Sequence, residues 1–175
     1  MKRLATLAAV TLLTVTSAAS AQDAAATALK ISWQRASTNM PAAAELLPAD
    51  KYGFKPTPEQ MSFGEILAHE ARSNETLCGA LDGSAAQPSE SAAGATAPKD
   101  SLVARLRKSF ETCAGVIAKI GDATLGDSVS FFGGRKATRA RAMIALAQDW
   151  ADHYSQAAMY LRLNGILPPT ARPKQ

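Results

Sequence analysis

The sequence is poor in the residues that build metal clusters and disulfide frameworks, with only two His and two Cys among its 175 residues. So few ligands exclude a series of tetrahedral metal sites and leave material for one small site. The nine Pro and eleven Gly are too few for a collagenous or wholly disordered chain, and the 47% hydrophobic content supports a packed core. A chain of this length is sufficient for one ordinary domain.

The first 21 residues have the composition of a secretory signal peptide. A basic start, MKR, is followed by an apolar run over residues 4–15, and ASA at 19–21 is an A-x-A cleavage pattern. The run is shorter than the about 20 apolar residues of a membrane helix, and no Cys directly follows the cleavage pattern to carry a lipid. We therefore predict a signal peptide over 1–21, a mature domain over 22–175 and a periplasmic or secreted protein without a stable membrane anchor. An uncleaved anchor is the alternative.

The basic pI of about 9.2 says little about the mature chain. Residues 1–21 hold two of the 19 basic residues and no acidic residue, so the mature chain has 17 basic and 15 acidic side chains. A basic cluster remains at 135–141, but no aromatic residue interleaves with it. Nucleic-acid binding needs a basic face sustained over a surface, so we interpret the cluster as a solvated helix start and expect no nucleic-acid partner.

Four segments of the mature chain combine helix-forming residues with apolar positions at helical spacing, namely 23–40, 62–81, 100–120 and 138–164. The first is expected to end before Pro41, because a proline disfavours the helical conformation of the residue before it. Ser62 and Glu65 have the spacing of a capping box at the start of the second. Gly165 follows the last segment at the position that favours a left-handed cap, and the prolines at 168–169 prevent its continuation.

Residues 84–99, between the second and third helices, are mostly Ser, Ala, Gly and Pro, which predicts a flexible surface loop that could serve as a crossover. No segment shows convincing alternation of apolar and polar residues with the period of a strand. Four helices of similar span, each with one apolar face, predict an all-α domain with a four-helix bundle as its simplest architecture.

The fourth predicted helix carries a carboxylate and an imidazole one turn apart, at Asp149 and His153. Side chains four residues apart lie on the same side of a helix and can bind one ion together. The spacing alone does not distinguish a metal site from a solvated pair, because such pairs are common on exposed helix faces.

The second predicted helix places polar residues on its apolar face. Glu70 and Asn74 fall near the middle of that face, whereas His69 lies at its margin. A carboxylate that points into a core is unfavourable unless it is paired or coordinated, so this pattern indicates a polar site inside the bundle. Periodicity alone leaves two interpretations open. Either Glu70 competes with His69 as the inward ligand, or a buried Glu70 pairs with an Arg.

Six short motifs have the order and spacing of a known family; they are FGEILAH at 63–69, SN at 73–74, LC at 77–78, DHYSQ at 152–156, YLRLNG at 160–165 and PP at 168–169. With them the chain resembles the DinB-like four-helix family, which is distinct from the DNA polymerase of that name. The match extends from Trp33 to Pro169, nearly the whole mature chain.

The resemblance implies a metal site. Members of the family typically hold one divalent ion with three histidines, one on the second helix and an HxxxH pair on the last. His69 matches the first and His153 the second of the pair, while Asp149 stands at the remaining position. An Asp oxygen can replace an imidazole at zinc, and two imidazoles with one carboxylate also suit iron(II). The resemblance therefore implies one divalent metal bound by these residues, zinc first, with nickel or iron as alternatives.

The family also contains thiol-dependent transferases, so the resemblance implies hydrolase- or transferase-type activity on a small molecule that the sequence does not identify. The alternative is a non-catalytic bundle that binds a partner or small ligand, its metal site having been lost when Asp149 took the place of a histidine. Exposed helix faces would allow a homodimer.

Cys78 and Cys113 fall near the ends of the second and third helices. An even pair in an exported chain favours a structural disulfide, with two buried, reduced thiols as the alternative. Their spacing is not the CxxC of a redox-active pair, and the chain has no CxxCH motif for haem attachment.

Overall fold

Four long helices make up most of the computed structural model, which describes residues 23–84 and 97–173. They are α1 (Ala24–Leu46), α2 (Phe63–Asp82), α3 (Lys99–Ile117) and α4 (Arg139–Leu163). One apolar core with contributions from all four helices fills the space between them. The all-α, four-helix fold is thus as the sequence predicts.

The helices form a square in which α2 packs against α3 and α4, and α1 packs against the same two helices from the opposite side. The helices α2 and α3 run parallel, because Glu75 pairs with Arg105 and Cys78 is bonded to Cys113 farther along both helices. The end of α2 and the start of α3 therefore lie at opposite ends of the bundle. Most of the predicted loop at 84–99 lies outside the described residues.

The first helix is longer than predicted, because α1 passes through Pro41 and ends at Leu46. A proline inside a helix removes one backbone hydrogen bond and typically costs about 3 kcal/mol. Here the turn that follows Pro41 carries Ala43, Ala44 and Leu47, all fully buried in the core. We attribute the continuation of the helix to the apolar contacts of these residues, which local propensity does not register.

The two helices that face each other across the candidate site begin with local capping signals. At the start of α2 the Ser62 hydroxyl accepts the Glu65 N–H at 3.2 Å, and the Glu65 carboxylate accepts the Ser62 N–H at 2.5 Å. Thr138 accepts the Arg141 N–H in the first turn of α4. Because such bonds depend on residues three apart, the sequence predicts these helix starts to within one residue.

The far end of α4 has the predicted glycine cap. Gly165 has a φ of 73°, the N–H of Ile166 donates to the Leu161 carbonyl at 2.9 Å, and the N–H of Gly165 donates to the Arg162 carbonyl at 3.0 Å. This pair of bonds satisfies carbonyls that the helix itself leaves free.

A small β-hairpin between α3 and α4 is absent from the sequence prediction. Its strands, β1 (Ser128–Ser130) and β2 (Lys136–Thr138), pair antiparallel with Val129 opposite Ala137. Gly133 and Gly134 both take positive φ in the turn. Each strand has only three residues, too few for an alternating pattern to stand out.

The helix α3 begins at Lys99, one residue before its predicted start, and ends at Ile117, three residues before its predicted end. The Lys99 ammonium donates to the carbonyls of Glu45 and Leu47 at the C-terminal end of α1, where a cation is favourable.

Among the described helices, none combines the length and the apolar character that crossing a membrane requires.

Candidate metal centre

The candidate site lies between α2 and α4, where the two histidine rings of the chain meet. The ring centroids of His69 and His153 are 4.6 Å apart, with an angle of 66° between the ring planes. His153 is buried, with 7% of its surface exposed, and His69 is half-buried at the margin of the interface. The two elements that the sequence predicts to carry ligands are therefore in direct contact.

On α4 the pair predicted from spacing is formed. Nε2 of His153 lies 3.4 Å from Oδ1 of Asp149, and the side chains are only 9% and 20% exposed. The alternative of a solvated pair on an exposed face does not fit this burial. The second oxygen of Asp149, Oδ2, is buried and has no hydrogen-bond partner among the described residues.

A neighbouring amide orients the His153 ring. Oε1 of Gln156 lies 3.3 Å from Nδ1 of His153. Since this amide oxygen can only accept, it favours a proton on Nδ1 and leaves Nε2 directed at Asp149. A partner of this kind on the far ring nitrogen is the usual support of a metal-binding histidine.

The three predicted ligands converge. His69, Asp149 and His153 each offer one donor atom, and these atoms all lie within 4.8 Å of one another. Two imidazole nitrogens and a carboxylate oxygen from two rigid helices are a donor set that zinc or iron(II) accepts. The partnerless Oδ2 of Asp149 fits the same interpretation, because a buried carboxylate oxygen is normally bonded or coordinated.

Glu70 is inward-facing, as its position on the apolar face of α2 indicates. It is fully buried, and neither carboxylate oxygen has a hydrogen-bond partner among the described residues. Burial, reinforced by the charge of Asp149 and partly opposed by that of His153, raises the pKa of Glu70 to about 8. The open possibility of an Arg partner is not realised in the described part of the chain.

The two histidines have pKa values shifted in opposite directions. Burial and the charge of His153 lower the pKa of His69, against the opposing effect of Asp149. Burial would also lower the pKa of His153, but the hydrogen bond and charge of Asp149, with Glu70 and Gln156, outweigh it and raise the pKa. The carboxyl groups of the site therefore favour the protonated form of His153, whereas His69 loses its proton more readily.

A polar contact network lies one turn along α2 from Glu70. Trp150 donates its indole N–H to Oδ1 of Asn74 at 2.6 Å, and the Asn74 amide donates to the Ser109 hydroxyl at 3.0 Å. Ser109 in turn donates to the Leu106 carbonyl. The inward Asn74 thus uses both its amide nitrogen and its amide oxygen to join α2 to α3 and α4.

Two side chains that contact the histidines were not predicted from the sequence. Nη2 of Arg72 lies 3.2 Å from Nδ1 of His69, and Oε1 of Gln156 lies 3.3 Å from Nδ1 of His153. Each partner lies three residues after its histidine on the same helix, and that spacing could have identified both. Tyr160, in contrast, donates to the Met61 carbonyl at 2.8 Å, outside the site.

The cysteines lie in the same bundle but outside the donor cluster. Cys78 and Cys113 form a disulfide between α2 and α3, with a Cα–Cα distance of 5.4 Å, and both are buried. The bond links the C-terminal halves of the two parallel helices.

The comparison with protein families identifies the family of the chain. The model of the DinB superfamily matches residues 32–157, which include α2, α3, all three converging ligands and most of α1 and α4. The chain belongs to the DinB superfamily. Comparison with curated proteins by sequence finds no significant match.

Solved structures of the same fold are distant in sequence. A DinB-like protein from Bacillus subtilis, YjoA, superposes with a TM-score of 0.67 at 19% identity, covering 84% of this chain and 99% of its own. A DinB-like protein from Bacillus cereus gives 0.65 at 14% identity, covering 82% and 95%. A mutant of a mycothiol-dependent maleylpyruvate isomerase gives 0.60 at 14% identity, covering 75% of this chain and 58% of the isomerase.

Proposed function

We propose that the protein binds one divalent metal ion through His69, Asp149 and His153 and uses it for hydrolase- or transferase-type chemistry on a small molecule. The observation that carries the proposal is the convergence of their donor atoms within 4.8 Å. The buried Oδ2 of Asp149 supports it, because without an ion this oxygen is removed from water and has no hydrogen-bond partner.

The donor set favours zinc first, with iron or nickel as alternatives. Zinc accepts imidazole nitrogen and carboxylate oxygen, and three protein donors leave one of its four preferred positions open. Two imidazoles and one carboxylate are also the ligand set of many non-haem iron(II) sites, and imidazole suits nickel.

A metal ion at this site would supply Lewis acidity and lower the pKa of a water or thiol beside it. The chain supplies the rest: Gln156 orients the ring of His153, and the burial of His153 limits access of bulk water. The similar fold of a mycothiol-dependent isomerase supports thiol-dependent chemistry as one candidate reaction class. Export, as residues 1–21 predict, would separate the protein from cytoplasmic thiols and favours hydrolysis instead.

The first test is metal content. Protein expressed from the full sequence, purified without a polyhistidine tag, is analysed for metals beside His69→Ala, His153→Ala and the control Asp152→Ala. Asp152 is an exposed acid on α4 next to His153. We expect about one equivalent of metal in the wild type and the control, as a single cluster requires, and loss of metal in both histidine variants. Sub-stoichiometric metal in the wild type, even after incubation with zinc or iron, contradicts the proposal.

The second candidate is a non-catalytic bundle that binds a small ligand. It is favoured by an apolar groove of about 250 Å³ between α1 and α4, lined in part by Leu29, Met143 and Ile144. None of the three candidate ligands lines this groove. Wild-type protein without metal that binds an apolar fluorescent probe such as ANS in its native state, and loses that binding in Ile144→Glu, would favour this function over the first.

A further inference from the structure

Glu70 is the only acidic side chain that is fully buried in the described segments 23–84 and 97–173. Neither of its oxygens has a hydrogen-bond partner there. In its ionised form this carboxyl group is strongly unfavourable unless it pairs with a cation or coordinates one, and in its protonated form it still leaves both oxygens without a hydrogen-bond partner. A cation bound beside Glu70 would relieve both costs, and the described side chains do not provide one.

The surroundings of Glu70 point to where that cation belongs. Glu70 directly follows the candidate ligand His69 on α2, and the charged groups that act on it are Asp149 and His153 on α4. The nearest inward polar group along α2, Asn74, is occupied by Trp150 and Ser109. The carboxyl group of Glu70 is thus within electrostatic reach of the donor cluster and has no hydrogen bond to the polar network of Asn74.

We propose that Glu70 is a fourth protein donor of the metal centre, so that two imidazoles and two carboxylates bind the ion. This inference rests on the proposed function, because it requires a metal at His69, Asp149 and His153. Glu70 lies outside the group whose donor atoms converge within 4.8 Å. Coordination by Glu70 therefore requires its side chain to turn toward the other three donors when the ion binds.

The fourth donor changes which metals the site favours. Two carboxylates balance the charge of a divalent ion and add a hard oxygen ligand, which suits manganese or iron(II) better than a three-histidine set does. Four protein donors also fill the tetrahedral set that zinc prefers. Because manganese and iron(II) favour the added oxygen ligand, we expect Glu70 to select for them relative to zinc. An ion that accepts five or six ligands also keeps positions for a substrate.

The test compares Glu70→Gln with the wild type and with the control Glu75→Gln. Glu75 lies on the same helix but pairs with Arg105 away from the site. Manganese affinity is measured by titration with electron paramagnetic resonance detection, and zinc affinity by competition with a chromogenic chelator. We expect Glu70→Gln to weaken manganese binding at least about tenfold and zinc binding less, with the control unchanged.

The visible absorption of the cobalt(II) form separates coordination from a purely structural role. If Glu70 is a ligand, the bands of Glu70→Gln differ from those of the wild type because the coordination sphere has changed. A second variant, Glu70→Leu, tests whether loss of the fold could explain weaker metal binding. We expect its metal-free form to be at least as stable to urea as the wild type, because an apolar side chain replaces an unpartnered carboxyl group.

The outcomes separate this inference from the proposed function. Wild type that binds metal, together with Glu70→Gln of equal manganese affinity and identical cobalt spectrum, overturns the fourth donor and leaves the three-ligand site intact. Wild type that binds none of the three metals overturns both. Weakened manganese binding with an altered cobalt spectrum supports the inference.

Discussion

The indole N–H of Trp150 donates to Oδ1 of Asn74 at 2.6 Å and fixes α4 against α2 beside the candidate metal site. Trp150 directly follows the candidate ligand Asp149, and Asn74 lies one turn after Glu70. Because Asn74 also donates to Ser109 on α3, one amide side chain joins three helices. The relative position of the helices that carry the candidate ligands therefore depends on hydrogen bonds between buried polar side chains.

Substitution of Asn74 by Ala should destabilise the fold by roughly 1–3 kcal/mol, because the buried indole N–H of Trp150 is left without its partner. The measurement is urea unfolding followed by circular dichroism. The control is Asn39→Ala on α1, where the amide is exposed and bonds only within its own helix. Equal stability of both variants and the wild type would show that the network does not hold the helices together.

The ends of α2 and α4 could be predicted because their signals are local. Ser62 and Glu65 satisfy each other three residues apart, and Gly165 needs only a positive φ. The end of α1 could not, because burial of the turn after Pro41 involves partners on other helices. The hairpin near Gly133 could not be predicted for a different reason, because its strands are too short to show a period.

The candidate site shows a similar division. Helical spacing places Asp149 and His153 one turn apart, and the resemblance to the family adds His69, but only the packing of α2 on α4 shows that all three meet. The inward position of Glu70 follows from periodicity. Its lack of an Arg partner does not, because any such partner would come from another part of the chain.

Removal of the disulfide should lower the free energy of unfolding. The bond between Cys78 and Cys113 closes a loop with a sequence separation of 35 residues, for which the chain-entropy model gives about 4 kcal/mol. We expect the double variant Cys78→Ser, Cys113→Ser to lose up to that amount in urea unfolding. A double variant as stable as the oxidised wild type would mean that the bond constrains nothing in the unfolded chain.

The capping box of α2 should make stability depend on pH in the acid range. The backbone and hydroxyl of Ser62, followed by Lys55, lower the pKa of Glu65 from 4.5 to about 2. A pKa lowered in the folded state gives stabilisation that is complete above the unfolded value of 4.5 and lost as the pH falls toward 2.

Unfolding of Glu65→Gln by urea tests this relation. The wild type should be more stable than Glu65→Gln at neutral pH, and the difference should shrink as the pH falls through the interval from 4.5 to about 2. The control Glu59→Gln replaces an exposed acid in the preceding connection and should show no such trend. A difference that is constant with pH would contradict the role of the Glu65 charge.

Arg72 should oppose metal binding. Its guanidinium donates to Nδ1 of His69 at 3.2 Å, so it competes for a candidate ligand and places a positive charge beside the cation site. Arg72→Gln should therefore raise zinc affinity, and the gain should diminish at high salt. Arg162→Gln on α4, where the guanidinium donates to a carbonyl of its own helix, is the control. A loss of affinity in Arg72→Gln would instead assign Arg72 a role in positioning the ring.

The carboxylate at position 149 should determine the metal preference of the three-ligand site. Asp149→Asn removes the charge and should weaken both zinc and manganese binding at least about tenfold. Asp149→His replaces the oxygen donor by a third imidazole, so we expect it to keep zinc affinity while manganese affinity falls, since manganese prefers oxygen ligands. Asp152→Asn, an exposed neighbour, should change neither. Unchanged affinity for both metals in Asp149→Asn would show that His69 and His153 bind the ion without this carboxylate, and that its buried Oδ2 has another cause.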